Sequence, residues 1–504
     1  MRIILQLPLG VCKKIHNSVN SNHWIMSIMS LKSQLSHALP KGCLIIGGER
    51  TRPFECDGLS AIKQQPLAVA LPTNIDQVKA VVKICRKHNT PIVTRGAGTG
   101  LSGGATPLEG CVVLGLSKMT QILSIDVENQ LAIVEPGVRN LAISDAVAEF
   151  DLYYAPDPSS QIACTIGGNV AENSGGVHCL KYGLTVNNVE AIKVLTIEGE
   201  ELTLSRSDDS IGFLALMNGS EGLLGVITEI TVKLTNKPEL ARLVMAGFAT
   251  VRDCANAVAD IIKAGIVPAG LEMMDKFAIE ASEAFAHPGY PLDAQALLLC
   301  ELDGETELVE TELASVLKVL SGASSIKVSE NEEQRLLFWQ GRKSSFPAVG
   351  RLSPDYYCMD GTIPKRHLAS VLEKINELSK FYGLRVANVF HAGDGNLHPL
   401  ILYDAGVPGE LEKTEAFGLE ILKHCVKVGG SITGEHGVGI EKLDAMCEQY
   451  STAELDVFHQ IKAAFDPSSL LNPGKAVPEL HRCAELGNMH VHGGKLPHPE
   501  LERF

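Results

Sequence analysis

The sequence of 504 residues lacks three features that would each indicate a class of protein. None of its 13 cysteines forms a CxxC pair, which excludes the usual iron–sulfur and zinc-finger spacings within this chain. No apolar run reaches the roughly 18 residues that a transmembrane helix needs. The formal net charge of −15 argues against nucleic acid as a partner, because phosphate binding needs basic surface. The dispersed cysteines and the absent spans favour a cytoplasmic protein with reduced thiols.

The N-terminal stretch IILQLPLGV does not predict a signal peptide, because Pro8 interrupts it and no small-residue cleavage site follows. We expect residues 1–45 to form an extension whose first part, up to about residue 25, is disordered or precedes the natural start. Glycine, in contrast, is abundant at 47 residues and clustered. Clustered glycines indicate loops that approach a ligand closely.

The hydrophobic pattern predicts an α+β protein of two domains and a helical segment. Residues 46–240 read as a first mixed domain, in which apolar positions at helical spacing predict a helix at 74–88 with Thr73 as its N-cap. Residues 241–410 alternate strands and helices in an order that fits an antiparallel sheet. Residues 411–504 read as a helical segment that ends in a surface tail.

The segment RGAGTGLSGG at 95–104 contains a formal GxGxxG pattern. A dinucleotide-binding Rossmann fold needs a helix to begin at the third glycine, but Pro107 and the strand-like run CVVLGL follow here. Successive glycines can instead turn their backbone N–H groups toward one point and bind a pyrophosphate. A flexible surface loop is the alternative interpretation of this segment taken alone.

Two further segments favour the ligand-binding interpretation. PDPSS at 156–160 precedes CTIGGNVAENSGG at 164–176, in which paired glycines flank Asn169 and Asn173. Asparagine side chains can both donate and accept hydrogen bonds along the edge of a flat heterocycle. GSEGLLGVIT at 219–228 is a third glycine-rich stretch, and turns alone do not account for three of them in one domain.

Several motifs together resemble a known family. RGAGTGLSGGA, YYAPDPSSQIACTIGGNVAENSGGVHCLKYGLT, SPDYYCMDGTIP and VANVFHAGDGNLHPLIL are similar to segments of FAD-linked oxidases that share the vanillyl-alcohol-oxidase-type flavin domain. The resemblance extends from about residue 45 to the end and is strongest to the FAD-containing subunits of bacterial glycolate oxidases. It implies a two-part FAD-binding domain at 46–240, a substrate or cap domain with an antiparallel sheet at 241–410, and a C-terminal segment that completes the active site.

The resemblance also implies the FAD contacts. Some relatives attach flavin to a histidine of the glycine loop, but no histidine lies between residues 90 and 110, so we expect non-covalent binding. The residues implied to bind FAD are Arg95, Gly96, Gly98, Thr99, Gly100, Leu101, Ser102, Gly103, Pro156, Asp157, Ser160, Gly167, Gly168, Asn169, Asn173, Gly175, Gly176, Gly222, Gly225, Ile227 and Asn472.

A second group of residues has the composition of a metal site. His391 and His398 lie seven residues apart, and the turn GDGN between them lets both imidazoles converge, while Glu435 lies in a glycine-hinged loop. Two histidines and a carboxylate are typical of a catalytic divalent metal site, although the spacing alone favours histidines with a structural role. The resemblance implies that these three residues bind Zn, Mn or Fe and that His436 is the catalytic base, a role that suits an imidazole at neutral pH.

Arg342 is the candidate for binding the substrate carboxylate, since a guanidinium offers bidentate geometry and relatives carry an arginine here. A solvated surface arginine is the alternative. Relatives that act on 2-hydroxyglutarate have a lysine in the strand where this chain has Cys358. A distal carboxylate therefore lacks an obvious cation, which favours a short mono-acid.

The resemblance implies FAD-dependent oxidation of glycolate, and of D-lactate, to the 2-oxo acid by hydride transfer to flavin N5. It also implies a complex with a second flavin-type subunit and an iron–sulfur subunit, peripheral on the inner face of the cell membrane. A D-lactate dehydrogenase that consists of one chain and a non-catalytic FAD-binding subunit are the alternatives. The latter predicts loss of His391, His398, Glu435 and His436, all of which are present.

Overall fold

The computed structural model describes residues 21–479, with side chains from residue 27 onward. The helix Ser21–Ala38 begins inside the stretch for which the sequence predicts disorder, so that prediction now concerns residues 1–20, which lie outside the described residues. Most of the predicted surface tail lies outside them too. None of the helices within residues 21–479 combines the length and apolar character needed to span a bilayer.

The first domain contains two sheets. A four-stranded sheet has the order Leu44–Ile46, Ala68–Ala70, Val112–Gly115 and Ile92–Arg95, with only the first strand antiparallel. A five-stranded antiparallel sheet has the order Ile122–Asp126, Leu131–Val134, Val226–Lys233, Val189–Leu195 and Glu201–Ser205. A small ribbon pairs Leu152–Tyr153 with Thr235–Asn236. The helices and helical turns of this domain are Gly48–Thr51, Arg52–Phe54, Ile75–Lys87, Asn140–Val147, Ala148–Phe150, Ile166–Glu172, Cys179–Tyr182, Thr185–Asn188 and Ile211–Met217.

The cap domain is built on a seven-stranded, fully antiparallel sheet. Its order is Ser325–Val328, Leu240–Phe248, Ala296–Gly304, Gly270–Asp275, Val386–His391, Asn396–Tyr403 and Asp355–Cys358. Alternate residues of the strands enter two different cores, so helices cover both faces. The helices and helical turns are Val251–Lys263, Lys276–Ala286, Thr306–Val319, Leu320–Gly322, Glu332–Lys343, Ser345–Val349, Lys365–His367 and Leu368–Tyr382.

The C-terminal segment returns the chain to the first domain. Its helices are Glu410–Lys427, Leu443–Gln449 and Thr452–Phe465. Ser451 caps the last of these in a capping box with Glu454. Beyond it, Leu471 forms a parallel bridge with Ile92, at the edge of the four-stranded sheet. The loop that precedes Leu443–Gln449 is bonded both to the cap, at Asp360, and to the first domain, at Glu221.

The α+β fold class is confirmed, while several local predictions need correction. Asn74, and not Thr73, caps the helix Ile75–Lys87, because its side chain accepts from Gln77 N–H while Thr73 donates to the Gln77 side chain. Part of the second glycine-rich segment, expected as a loop, forms the helix Ile166–Glu172.

The expectation of reduced thiols holds for ten free cysteines but not for Cys447, which is disulfide-bonded.

Candidate active site

A cavity of about 480 Å³ lies between the first domain and the cap. Volumes of this size are typical of ligand sites. Thirteen of the residues that the sequence assigns to FAD line it, and they are Gly96, Gly98, Thr99, Gly100, Leu101, Ser160, Gly167, Gly168, Asn169, Gly175, Gly222, Gly225 and Ile227. We call the glycines of this set the glycine wall. Eight others of the predicted set do not line it, namely Arg95, Ser102, Gly103, Pro156, Asp157, Asn173, Gly176 and Asn472.

Several residues behind the cavity support the main chain that lines it. Arg95 ends the strand Ile92–Arg95, and its guanidinium folds under the loop to donate to Cys56 O at 2.7 Å. Gly98 has a φ of +74°, and a methyl group there would collide with the same guanidinium. Asn472 donates from Nδ2 to Gly104 O at 3.0 Å. Arg95 and Asn472 therefore shape the glycine wall without lining the cavity.

The two asparagines have structural bonds. Asn169 Oδ1 accepts from Asn140 Nδ2 at 3.1 Å, and Asn173 Oδ1 accepts from Val186 N–H at 2.9 Å. Asn173 also ends the helix Ile166–Glu172 in a left-handed conformation with a φ of +56°. Of the two, only Asn169 lines the cavity.

The cavity wall fits a flavin dinucleotide. Thr94 and Thr165 line the cavity, and each hydroxyl is buried without a hydrogen-bond partner among the described residues. Buried polar groups are nearly always paired, so these hydroxyls indicate a polar ligand. Gly222, which has a φ of +72°, lies next to Thr94, and the nearest atom to an added Cβ there is Thr94 Cβ at an ordinary van der Waals distance of 3.8 Å.

A hairpin explains how two histidines seven residues apart reach the same side of the cap sheet. His398 pairs with Val389 across the hairpin, and His391 lies two residues beyond Val389. Residues directly opposite or two apart share a face, so both imidazoles project the same way. Glu272 pairs with His391 from the neighbouring strand Gly270–Asp275, and its side chain therefore shares that face.

The structure brings together the three predicted metal ligands. Glu435 Oε1 lies 3.2 Å from His391 Nε2 and 2.9 Å from His398 Nε2. The three ligand atoms all lie within 4.8 Å of one another. Burial disfavours the charged carboxylate, but the two imidazoles outweigh that effect and hold the pKa of Glu435 well below its usual range. With His436 these residues form what we call the imidazole cluster.

Hydrogen bonds at the Nδ1 atoms orient the two histidine rings so that each Nε2 atom faces Glu435. His391 Nδ1 lies 2.6 Å from Glu272 Oε1, and His398 Nδ1 lies 3.3 Å from Met359 O. An N–H on each Nδ1 leaves the Nε2 lone pair free for a metal, and a carboxylate behind a histidine is typical of metal sites. The donor set therefore fits a divalent cation.

Asp360 holds the loop that carries Glu435. Its carboxylate accepts from the backbone N–H groups of Gly434, Glu435 and His436 at 3.1, 3.2 and 2.9 Å. Burial opposes the charge of Asp360, but His436 and Lys442 outweigh it and lower the pKa of the carboxyl. Asp360 thereby fixes the backbone on both sides of the Glu435 side chain.

His436 stacks on His398 with ring centroids 4.8 Å apart and an interplanar angle of 9°. Burial lowers the pKa of His436 to about 4, so its imidazole is neutral at pH 7 and can accept a proton. Its Nδ1 is buried without a hydrogen-bond partner among the described residues. His436, His398 and Glu435 all line the same cavity as the glycine wall.

Arg342 lies at the end of the helix Glu332–Lys343, as predicted, but it is not a surface residue. Only 1% of its surface is exposed, and its Nη2 and Nε lie 2.6 and 2.8 Å from Glu272 Oε2. Glu272 therefore links Arg342 to His391. Arg342 also lines the cavity.

Sequence reasoning missed three contributors. Glu272 could have been found as a carboxylate inside the apolar run GLEMM, whereas nothing local marks Asp360 as the support of a loop 74 residues away. Lys343, next to Arg342, lines the cavity and is its second cationic side chain on this helix, with Nζ 3.7 Å from Asp157 Oδ2. The ligand atoms of Cys358, His398 and His436 also lie within 4.8 Å of one another, but burial raises the pKa of the Cys358 thiol well above its usual range and disfavours the thiolate.

Comparison with known proteins decides the family. Residues 66–205 match the FAD binding domain, and residues 237–476 match the C-terminal domain of FAD linked oxidases. The chain is 60% identical over 461 residues to the glycolate oxidase subunit GlcD of Escherichia coli (strain K12), covering 90% of this chain and 92% of that protein. The chain belongs to the FAD-linked oxidase family. The two family matches include the imidazole cluster and the glycines of the wall from Gly96 to Gly175, whereas Gly222 and Gly225 lie between the matched ranges.

Other members of this FAD-linked oxidase family are more distant. The GlcD subunit of Bacillus subtilis (strain 168) is 38% identical, covering 84% of this chain and 91% of that protein. A D-lactate dehydrogenase of Anaerostipes hadrus is 31% identical, covering 87% and 95%. Among solved structures, p-cresol methylhydroxylase with bound substrate superposes with a TM-score of 0.77 at 18% identity, covering 92% of this chain and 98% of that one. This last likeness shows a shared fold.

Proposed function

We propose that this FAD-linked oxidase oxidises a short 2-hydroxy acid, glycolate or D-lactate, to the 2-oxo acid. The observation that carries the proposal is the continuity of the cavity, in which His398, Glu435, His436 and Arg342 line the same space as the glycine wall. A proton acceptor, a metal-type donor set and a carboxylate-binding cation thus adjoin a flavin-type pocket. Glycolate oxidase subunits and D-lactate dehydrogenases among the relatives support the substrate class.

Each residue has a role that its geometry supports. Arg342 uses Nε and Nη2 to bind Glu272, which leaves Nη1 for the substrate carboxylate. His436, neutral at pH 7, takes the proton of the substrate hydroxyl while hydride leaves C2. His391 Nε2, His398 Nε2 and Glu435 would hold a divalent cation, which as a Lewis acid lowers the pKa of that hydroxyl. Non-covalently bound FAD supplies the hydride acceptor, flavin N5.

Two apolar side chains favour a short substrate. Leu101 and Phe346 line the cavity together with Arg342, and Phe346 is held edge-on against Tyr356 with ring centroids 6.1 Å apart. A second carboxylate would lose hydration against such surfaces. Lys343 argues against this preference for a short substrate, because it lines the cavity and its ammonium group could bind a second carboxylate. The test therefore includes 2-hydroxyglutarate.

We further propose that the chain passes its electrons to other subunits of a complex, a second flavin-type subunit and an iron–sulfur subunit, in the cytoplasm at the inner face of the membrane. The support is the 60% identity to a glycolate oxidase subunit. A self-sufficient D-lactate dehydrogenase is the second candidate, favoured by the 31% identical relative of that name.

The test begins with the visible spectrum of the purified chain. Acid precipitation should release the flavin into the supernatant, since binding is non-covalent. Anaerobic addition of glycolate or D-lactate should then bleach the flavin band, while L-lactate and 2-hydroxyglutarate should do so far more slowly. His436→Ala should keep FAD but lose bleaching by about 100-fold or more, the usual contribution of a general base. A flavin that neither acid reduces, even with the partner subunits added, would contradict the proposal.

A further inference from the structure

The loop of residues 434–439, which we call the His436 loop, is held by carboxylates from two domains. Asp360 of the cap accepts from the N–H groups at the start of the loop. At its end, Glu221 of the first domain accepts from Val438 N–H through Oε1 and from Gly439 N–H through Oε2, both at 2.7 Å. Charge-assisted bonds of this length are about twice as strong as neutral ones. The loop is therefore fixed from both sides of the cavity.

Glu221 is itself held firmly next to the glycine wall. Its N–H donates to Ala171 O at 2.8 Å, and its carbonyl accepts from Asn472 Nδ2 at 2.6 Å. It has a φ of +50°, which is uncommon for a residue with a side chain and persists only where the surroundings enforce it. The next residue, Gly222, lines the cavity. Because Glu221 and Gly222 are adjacent in the chain, a displacement of the wall at Gly222 also displaces the Glu221 carboxylate.

The packing leaves the His436 loop little freedom on this side. At Gly437, with a φ of +76°, an added Cβ would lie 2.9 Å from Glu221 Oε1 and would collide with Glu172 Oε2. Ser102 O, in the glycine-rich segment, accepts from Ile440 N–H at 2.9 Å just beyond the loop. Two segments that contribute to the cavity wall are therefore bonded directly to the stretch that carries His436.

We propose that Glu221 is a positioning residue that couples occupancy of the flavin pocket to the placement of His436. A ligand against Gly222 fixes the Glu221 carboxylate, and its two bonds fix the end of the His436 loop. Without them the loop keeps its bonds to Asp360 and the bond from Lys442 Nζ to Gly437 O, but the N–H groups of Val438 and Gly439 lose their acceptor and His436 loses its set position relative to the cavity. The effect on turnover rests on the proposed function, whereas the coupling itself does not.

Glu221→Ala and Glu221→Gln in the FAD-loaded protein test the effect on turnover. A misplaced base lowers the rate of flavin reduction at saturating substrate by roughly 100-fold, as small displacements of reacting groups do. The KM should change little, because Arg342 is untouched. Glutamine can accept only one of the two bonds, so its rate should fall between alanine and the native residue. Glu229→Gln, which loses an ion pair with Lys193 in the same domain, should reduce at the native rate.

Hydrogen exchange measures the coupling without substrate. FAD should slow exchange of the amides at Val438 and Gly439 in the native chain, and Glu221→Ala should abolish that effect while amides bonded to Asp360 stay protected. Native exchange at both amides in FAD-loaded Glu221→Ala would overturn the proposal, as would a native reduction rate. If neither variant retains FAD, the test uses the native chain alone. Exchange at Val438 and Gly439 that is identical with and without FAD would then overturn the proposal. A native chain that no 2-hydroxy acid reduces would refute the proposed function alone.

Discussion

The glycine wall is made mostly of main chain, whereas the imidazole cluster is made of side chains from separate elements. Residues of the wall come in short runs, and their fitness for a ligand depends on local backbone conformation, as at Gly98 and Gly222. The cluster takes His391 and His398 from a hairpin and Glu435 from a distant loop. Its geometry therefore depends on how the chain folds over long distances.

The difference predicts unequal sensitivity to substitution. In the wall many residues would share the contact with one large ligand, so we expect the loss of one contact to be spread over the others. In the cluster Glu435 Oε1 alone lies within hydrogen-bond distance of both Nε2 atoms. A single side chain there decides whether a cation can bind, so we expect the largest effects in the cluster.

Glu435→Gln should have the largest effect. The amide keeps the shape but removes the charge between His391 and His398, and the cation should be lost. Lewis-acid catalysis contributes several kcal/mol, so flavin reduction should slow by about 1,000-fold at 1.36 kcal/mol per tenfold. Metal content and anaerobic reduction rate measure this, with the FAD spectrum unchanged. Glu420→Gln, the same change on the helix Glu410–Lys427, is the control, and an active, metal-loaded Glu435→Gln would refute the assignment.

Glu272→Gln should have the next largest effect. Its carboxylate lies behind His391 and also pairs with Arg342, so its loss should loosen both the proposed metal ligand and the proposed substrate-binding cation. Removal of such an outer carboxylate usually lowers metal affinity about 10–100-fold. Titration with metal measures the affinity. Asp275→Asn, on the same strand, weakens a helix cap and should reduce stability while metal affinity stays native.

The same contrast explains what the sequence could predict. Glycine-rich runs, turns and the helix Ile75–Lys87 are local signals, and the motifs located thirteen of the residues that line the cavity and all of the cluster. Glu272 and Asp360 were missed because their partners come from other strands and loops, and only strand register brings Glu272 opposite His391. The prediction that Asn169 and Asn173 bond to a flat heterocycle did not foresee Asn140, which donates to Asn169 from another helix.

Gly222→Ala should have a smaller effect, confined to the wall. An alanine fits the space, but a φ of +72° strains it by about 1–2 kcal/mol. If the backbone relaxes into the cavity, FAD affinity should fall about tenfold, which corresponds to 1.4 kcal/mol. Gly110→Ala is a matched control, since Gly110 has a φ of +76°, open space around it and no place in the cavity wall. Equal FAD affinity in both variants would show that the wall does not depend on this conformation.

The smallest effect concerns the contact between the two domains. His178 of the first domain lies 2.9 Å from Asp157 and 3.1 Å, through Nε2, from Glu301 of the cap. Burial lowers the pKa of His178, but the carboxylates, Asp157 first, outweigh it and raise the pKa to about 10. A raised pKa means that the charged imidazole stabilises the folded state fully below the unfolded value of about 6.5. That contribution falls as pH rises from there through about 10.

His178→Gln should therefore lower the melting temperature most near pH 6 and progressively less toward pH 10. Hydrogen bonds to charged groups contribute about 1.5–3 kcal/mol, so the shift should be a few degrees in a chain of this size. Arg335, 2.7 Å from Glu301, remains charged across this range and keeps that carboxylate paired in both proteins. His459→Gln is the control, because His459 bonds to the carbonyl of Pro478 and pairs with no carboxylate within residues 27–479. If the difference in melting temperature between the native chain and His178→Gln does not shrink as the pH rises, His178 joins the two domains as a neutral imidazole. The raised pKa of His178 would then contribute nothing to the contact between the cap and the first domain.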